Sequence, residues 1–232
     1  MRKIGLIGGL SWYSTLEYYQ LINHLVNEAF HSNTNPPLWI VNLNQQAIHQ
    51  LQQTDQWDKI AQIIYDTANQ LQSVGCEALA LCTNTSHKVV DQIQPSLHIP
   101  FLHIADAIGQ YIQKHQWHTV GLLGTQFTMT EDFIKGKLNQ SYQMKVIVPD
   151  LFTQQEIQRR IIEEFSLGVF SNEAKQYFLH EIEKMATEGA QSVILGCTEI
   201  PLLLKDCAAT LPTIDSLECH AREIVKFILS DS

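Results

Sequence analysis

"KIGLIGGLS" at residues 3–11 has a near-copy further along the chain, "TVGLLGTQF" at residues 119–127. Each is an apolar run without the alternation of a half-exposed strand, and each breaks at glycine. Such a run reads as a strand buried on both faces and ending in a tight turn. Two more pairs follow in the same order: "ALALCTNT" at 78–85 resembles "SVILGCTE" at 192–199, and "IPFLHIADA" at 99–107 resembles "LPTIDSLEC" at 211–219. Ile4 precedes Cys82 by 78 positions and Val120 precedes Cys197 by 77, so order and distance are both kept.

Short apolar runs alternate with longer amphipathic stretches between these landmarks. Strands are expected at residues 3–7, 38–43, 78–81, 101–104, 119–123, 144–148, 192–195 and 212–214, and helices at 13–29, 57–74, 106–114, 132–139, 154–165 and 172–187. The alternation predicts an α/β fold of two pseudo-symmetric lobes, each a parallel sheet flanked by helices. Ligands of open parallel sheets bind beyond the carboxyl ends of the strands, so the active site is expected in the cleft between the lobes, with Cys82 and Cys197 on opposite walls. The stretch "HSNTNPP" at 31–37 is a turn-rich loop, and Gln50–Gln53 reads as a solvated face.

Composition narrows the function. The chain of 232 residues has a net charge of −9 and no Lys/Arg cluster beyond short groups such as Arg159–Arg160, so the basic stripe of a nucleic-acid binder is missing. No apolar run approaches the ~18 residues needed to cross a bilayer. The N-terminus passes from two basic residues straight into a first strand, without a signal-type segment. Five cysteines, Cys76, Cys82, Cys197, Cys207 and Cys219, form no disulfide framework and suit a reducing cytoplasm. Small molecules are the expected partners, with no nucleic acid and no membrane.

Cys82 and Cys197 each end an apolar run and are followed by threonine. A thiol between a strand and a helix lies near backbone N–H groups and the positive end of the helix dipole, which predicts a stabilised thiolate. Thr83, Asn84 and Thr85 are then candidate caps and donors to a bound anion, Thr198 caps the second site, and Pro201 suits the first turn there. Leu10 and Ser11 after Gly8–Gly9 are expected to line the cleft, while Thr125 and Thr128 occupy the matching position in the second half as donors or as an ordinary cap. "GGLSWYS" lacks the third glycine of a dinucleotide loop. The histidines are scattered and no Cys or His pair has zinc-ligand spacing, so no metal is expected. His87 could steer a proton, or cap, or pack; Trp12, Tyr18 and Tyr19 read as core or dimer-face residues.

Two facing sulfurs, one thiolate and one thiol, could remove a proton from one face of a carbon and return one to the other, which is a two-base racemisation. The proton on an amino-acid α-carbon is far less acidic than a thiol, so N–H and O–H donors must stabilise charge on the carboxylate.

"IGLIGGLSW", "LCTNTSHKV", "LLGTQFTM" and "GCTEIPLL", in that order, resemble the cofactor-independent aspartate/glutamate racemase superfamily, closest to its broad-specificity amino-acid racemase branch. The resemblance covers essentially the whole chain. It implies that Cys82 and Cys197 are the two proton carriers, that Thr83, Asn84, Thr198 and Glu199 surround an amino-acid substrate, that neither pyridoxal phosphate nor metal is required, and that the protein is a homodimer. It also implies that the chain after residue 210 returns to the first lobe, giving lobes of 1–98 plus 211–232 and of 99–210. Some aspartate-specific members carry basic residues where this chain has Leu167 and the neutral Gln45, Gln46 and Gln52. Gln52 is therefore a candidate substrate-facing residue, and neutral or mixed polar substrates are favoured. The related hydantoin racemases, maleate isomerases and arylmalonate decarboxylases define alternative chemistries, and a non-catalytic amino-acid-binding module is a further alternative.

Overall fold

A computed structural model gives the structure of the protein and describes residues 1–230. In chain order the elements are β1 (Ile4–Gly8), α1 (Trp12–Phe30), β2 (Leu38–Asn42), α2 (Gln45–Gln53), α3 (Trp57–Ser73), β3 (Ala78–Leu81), α4 (Val90–Ile93), α5 (Ile104–Lys114), β4 (Thr119–Gly124), α6 (Gln126–Thr130), α7 (Asp132–Tyr142), β5 (Lys145–Ile147), α8 (Leu151–Glu163), α9 (Asn172–Thr187), β6 (Ser192–Gly196), α10 (Glu199–Leu204), β7 (Thr213–Asp215) and α11 (Ser216–Leu229). The chain divides into two compact units, Met1–Ile104 with the C-terminal segment from His220 onward, and Ala105–Cys219.

The first unit holds a parallel sheet of order β2-β1-β3, the second a parallel sheet of order β5-β4-β6-β7. In both, the first strand lies in the middle and the third strand of the repeat lies beside it. Every residue of β1, β3 and β6 is buried, as a strand covered by helices on both faces requires. The core of the first unit is built from Ile4, Leu6, Leu79 and Leu81 of the sheet against Ile22, Ile60, Ile64 and Leu71 of the helices. In the second, Leu123, Val193 and Leu195 meet Ile157, Phe178, Ile182 and Met185.

One glycine of the repeat does the same work in both sheets. A Cβ on Gly5 would lie 2.9 Å from Leu71 Cδ1 of α3, and a Cβ on Gly121 would lie 2.4 Å from Met185 Sδ of α9. The bare backbone thus lets a helix settle directly onto each central strand.

The ladders also place the two thiols on different rungs. Ile7 pairs with Leu81, so Cys82 follows on the next rung, and its N–H donates to Ile7 O at 3.0 Å. That rung is filled in the second sheet by Gly124 and Gly196, and Cys197 comes one residue later. The two thiols are therefore not strict equivalents of the repeat.

Two expectations are corrected. Residues 101–104 form no strand: a single bridge joins Phe101 to Leu79, and the chain turns directly into α5 at Ile104. The helix expected at 154–165 starts earlier, at Leu151, because Asp150 caps it by accepting from Thr153 N at 3.0 Å.

Candidate active site

Parallel ladders bring the carboxyl ends of neighbouring strands to one edge of each sheet. In the first unit, β1 runs into Gly9, Leu10 and Ser11, while β3 runs into Cys82, Thr83, Asn84 and Thr85. Gly9 has φ +71°, and a Cβ there would fall 2.1 Å from Leu43 O, so only glycine makes this turn without strain. Its N–H donates to Thr15 Oγ1 at 2.9 Å, and Thr15 donates in turn to Ser11 O at 2.8 Å. Ser11 is spent as the N-cap of α1, accepting from Ser14 N at 3.4 Å. Leu10 is buried, and Gln52 is half-buried in the last turn of α2.

Cys82 is fully buried at the end of β3. The chain then makes a 3-10 turn over Thr85–Val89, which places His87 in that turn. His87 Nδ1 lies 2.8 Å from Thr83 O and 3.3 Å from Asn84 O, and Ile104 N–H donates to His87 Nε2 at 3.3 Å. Two more histidines join it, with ring centres 4.6 Å away for His103 and 5.5 Å for His220. His220 Nε2 donates to Leu102 O at 2.6 Å, and its Nδ1 accepts from Tyr18 Oη at 2.8 Å. Burial pushes His220 down to about 4, and burial with the two neighbouring rings holds His87 well below the ordinary imidazole value.

In the second unit, Cys197 and Thr125 directly follow the paired residues Gly196 and Gly124. Thr125 is the N-cap of α6, accepting from Thr128 N at 3.3 Å. Thr128 is fully buried, its hydroxyl 2.9 Å from that of Thr125 and its methyl in the space a side chain at Gly124 or Gly196 would need. Cys197 Sγ donates to Glu199 Oε2 at 2.9 Å, and Thr198 Oγ1 donates to the same oxygen at 2.8 Å. Thr198 stands at the start of α10 in a helical conformation, and its side chain serves Glu199 instead of making the expected cap.

The expected thiolate stabilisation is also corrected. Burial pushes the Cys82 thiol far above its ordinary value. Burial raises Cys197 as well, and the Glu199 carboxylate raises it further, outweighing the N–H groups of Thr198 and Glu199 that favour the anion. The helices that follow do not offset the burial. α10 has six residues and α4 four, too little aligned backbone to offset full desolvation.

Sequence reading thus locates Cys82, Thr83, Asn84, Cys197, Thr198 and Glu199 at their strand ends, but not the histidine cluster. Tyr18, His87, His103 and His220 are far apart in sequence, and no local pattern announces that they meet. Among the described residues, no three His, Cys, Asp or Glu side chains are grouped to hold a metal ion.

The fold agrees with that of known proteins. The family model described as Asp/Glu/hydantoin racemase matches residues 7–224. Over 175 residues the chain is 28% identical to the broad specificity amino-acid racemase RacX of Bacillus subtilis (strain 168), covering 75% of this chain and 74% of that protein. A solved structure from Yersinia pestis assigned as an Asp/Glu racemase superposes with a TM-score of 0.94 at 36% identity, covering 99% of this chain and 100% of that one. An aspartate racemase homologue from Pyrococcus horikoshii OT3 gives a TM-score of 0.87 at 33% identity, with coverage of 99% and 100%. The chain belongs to the Asp/Glu/hydantoin racemase family and is an enzyme of the amino-acid racemase type.

Proposed function

We propose that the enzyme inverts amino acids by a two-base mechanism in which Cys82 and Cys197 exchange protons with the α-carbon of one substrate, without pyridoxal phosphate or metal. The observation that carries this reading is the pair of buried thiols, each on the residue directly after a strand that neighbours the central one, and each followed by threonine.

One sulfur, ionised, takes the α-proton while the other, protonated, delivers its own to the opposite face. After a turnover the proton has changed sulfur, and the reverse reaction restores it. Burial supports this chemistry because a thiolate that is costly to form is also a stronger base once formed. The hydrogen bond from Cys197 to Glu199 gives that proton a place to go. Transfer to Oε2 leaves a thiolate beside a neutral carboxyl, and with the proton on sulfur Cys197 is the donor. Thr83, Asn84, Thr85, Thr125 and Thr198 are the groups proposed to meet the substrate, with Leu10, Ser11, Thr128 and Gln52 around them. Their N–H and O–H groups stabilise charge growing on the substrate carboxylate as the α-carbon loses its proton.

Broad specificity is the favoured substrate range. The helix α2 offers Gln45, Gln46 and Gln52 and no lysine or arginine to clamp a side-chain carboxylate, and Leu167 stands exposed. The Bacillus subtilis relative is itself named for broad specificity. A homodimer is proposed through α1, whose outer face exposes Trp12, Tyr13, Leu16 and Tyr19. The cytoplasm is the proposed location, since all five cysteines are free.

The test is chiral chromatography of a panel of L-amino acids incubated with the purified protein in deuterium oxide, with EDTA and no added cofactor. The D-enantiomer with deuterium at Cα is expected. Undiminished turnover in Cys82→Ala or Cys197→Ala would remove the two-thiol mechanism.

A further inference from the structure

A peptide N–H can only donate a hydrogen bond, and a carbonyl oxygen can only accept one. Opposite Ile104 N, the Nε2 of His87 must present its lone pair. Opposite Thr83 O and Asn84 O, its Nδ1 must carry the hydrogen. The ring is thereby held as one neutral tautomer, and a second proton would set Nε2–H against an amide N–H. His87 then has no proton to give and no lone pair to spare, so it is not a relay for Cys82.

The ring joins two pieces of backbone. One is the loop at Thr83–Asn84, directly after Cys82. The other is the strip ending at Ile104, which is itself anchored on β3: Leu79 N–H donates to Pro100 O at 2.9 Å, and Leu102 N–H donates to Leu79 O at 2.8 Å. His220 grips the same strip through Leu102 O, which fixes the hydrogen on its Nε2 and leaves Nδ1 to accept from Tyr18. The strip is a fixed support, and the loop that carries Cys82 is propped on it. The titratable groups facing the ring are His103 and His220.

We propose that His87 is a positioning residue of this racemase, a neutral ring whose tautomer the Ile104 amide fixes and whose Nδ1–H clamps the backbone carbonyls of Thr83 and Asn84, and so fixes the direction of the Cys82 sulfur and the neighbouring donors. In its effect on turnover this rests on the racemase reading above. Reactive groups displaced by a fraction of an ångström lose rate steeply, which makes a fully buried ring at this point matter to chemistry it does not touch.

Two arms test it. Long-range nitrogen–proton correlation NMR of the wild-type protein at neutral pH, with His87 assigned from the missing signal in His87→Asn, should show a protonated Nδ1 and a bare Nε2. A proton on Nε2 overturns the proposal whether or not the protein turns over any substrate. In the second arm, His87→Asn keeps an N–H where Nδ1 stands, His87→Gln moves the polar group outward to the Nε2 position, and His87→Leu removes both bonds. The kcat of His87→Leu and of His87→Gln should fall about ten-fold or more while His87→Asn stays within about three-fold of wild type, the scale of a lost buried hydrogen bond. His87→Asn as slow as His87→Leu would mean the ring takes part in the chemistry, and wild-type turnover in His87→Leu would mean it only fills space; either result overturns the clamp. If His87→Leu does not fold, the order of His87→Asn over His87→Gln decides. If the wild-type protein racemises nothing, the racemase reading falls, and amide hydrogen exchange at Thr85 and Ser86, faster in His87→Leu and unchanged in His87→Asn, still reads the clamp. Equal exchange in the two variants overturns it.

Discussion

Lowering the pH from about 7 to about 5 should weaken the first unit through one residue, His220, by an amount the structure sets. Its ring is fully buried, donates to Leu102 O, accepts from Tyr18 Oη, and has its pKa pushed down from 6.5 to about 4. The folded-state value lies below the unfolded one, so between the two the unfolded chain binds more protons and stability falls as the pH drops. With those two values, the linkage relation gives a loss of about 2 kcal/mol between pH ~7 and pH ~5, approaching ~3 kcal/mol below pH ~4. His87 adds a loss of the same sign. The contribution of His220 is isolated by comparing the wild type with His220→Gln in urea titrations at both pH values. Tryptophan emission reports chiefly on this unit, because Trp12, Trp39 and Trp57 of the four tryptophans lie in it. With a slope of about 2–3 kcal/mol/M, the wild-type midpoint should fall by about 0.7–1 M more than that of the variant. Parallel pH dependence of the two proteins would refute the buried neutral ring as the cause.

Three further outcomes are expected. Cys82→Ala and Cys197→Ala should each lose about 100-fold or more of kcat in racemisation, the scale of losing one positioned acid or base, with folding unchanged by circular dichroism. Glu199→Gln removes the charge that raises Cys197 beyond the effect of burial, so the alkylation rate of Cys197 by iodoacetamide, followed by peptide mass spectrometry, should rise at lower pH than in the wild type, with Cys82 unaffected. Gly9→Ala should destabilise the protein by about 3 kcal/mol or more in thermal unfolding, because a Cβ would enter the space of Leu43 O at a positive φ.

The parts of this fold legible in the sequence are those where burial dictates residue type. The central strands show as "KIGLIG" and "TVGLLG" because both of their faces are covered, and α9 matches its expected span, Asn172–Thr187, because Ala174, Phe178, Ile182 and Met185 keep one face apolar. The helix α2 is hidden because "QQAIHQLQQ" buries only Ile48 and is shaped by its Asn44 cap. The sequence reading also stops short of α11, although Leu217, Ala221, Ile224, Val225 and Ile228 recur at helical spacing. "IPFLHIADA" misleads because its apolar residues suit a strand, while the backbone keeps only one bridge before α5 begins. At the site, the cysteines and their threonines are visible as motifs. The bond from Cys197 to Glu199 depends on how two side chains turn, and the meeting of His87 with His220 spans 133 positions, so neither leaves a local trace.

The carboxylate of Glu199 attends one sulfur, and the loop after Cys82 contains no acidic residue to attend the other. Left- and right-handed amino acids have identical free energies in water, so no such lopsidedness can favour one hand at equilibrium, and kcat/KM must be the same in both directions. The imbalance is confined to the separate values of kcat and KM. A hand that is held more tightly is therefore turned over more slowly in the same proportion.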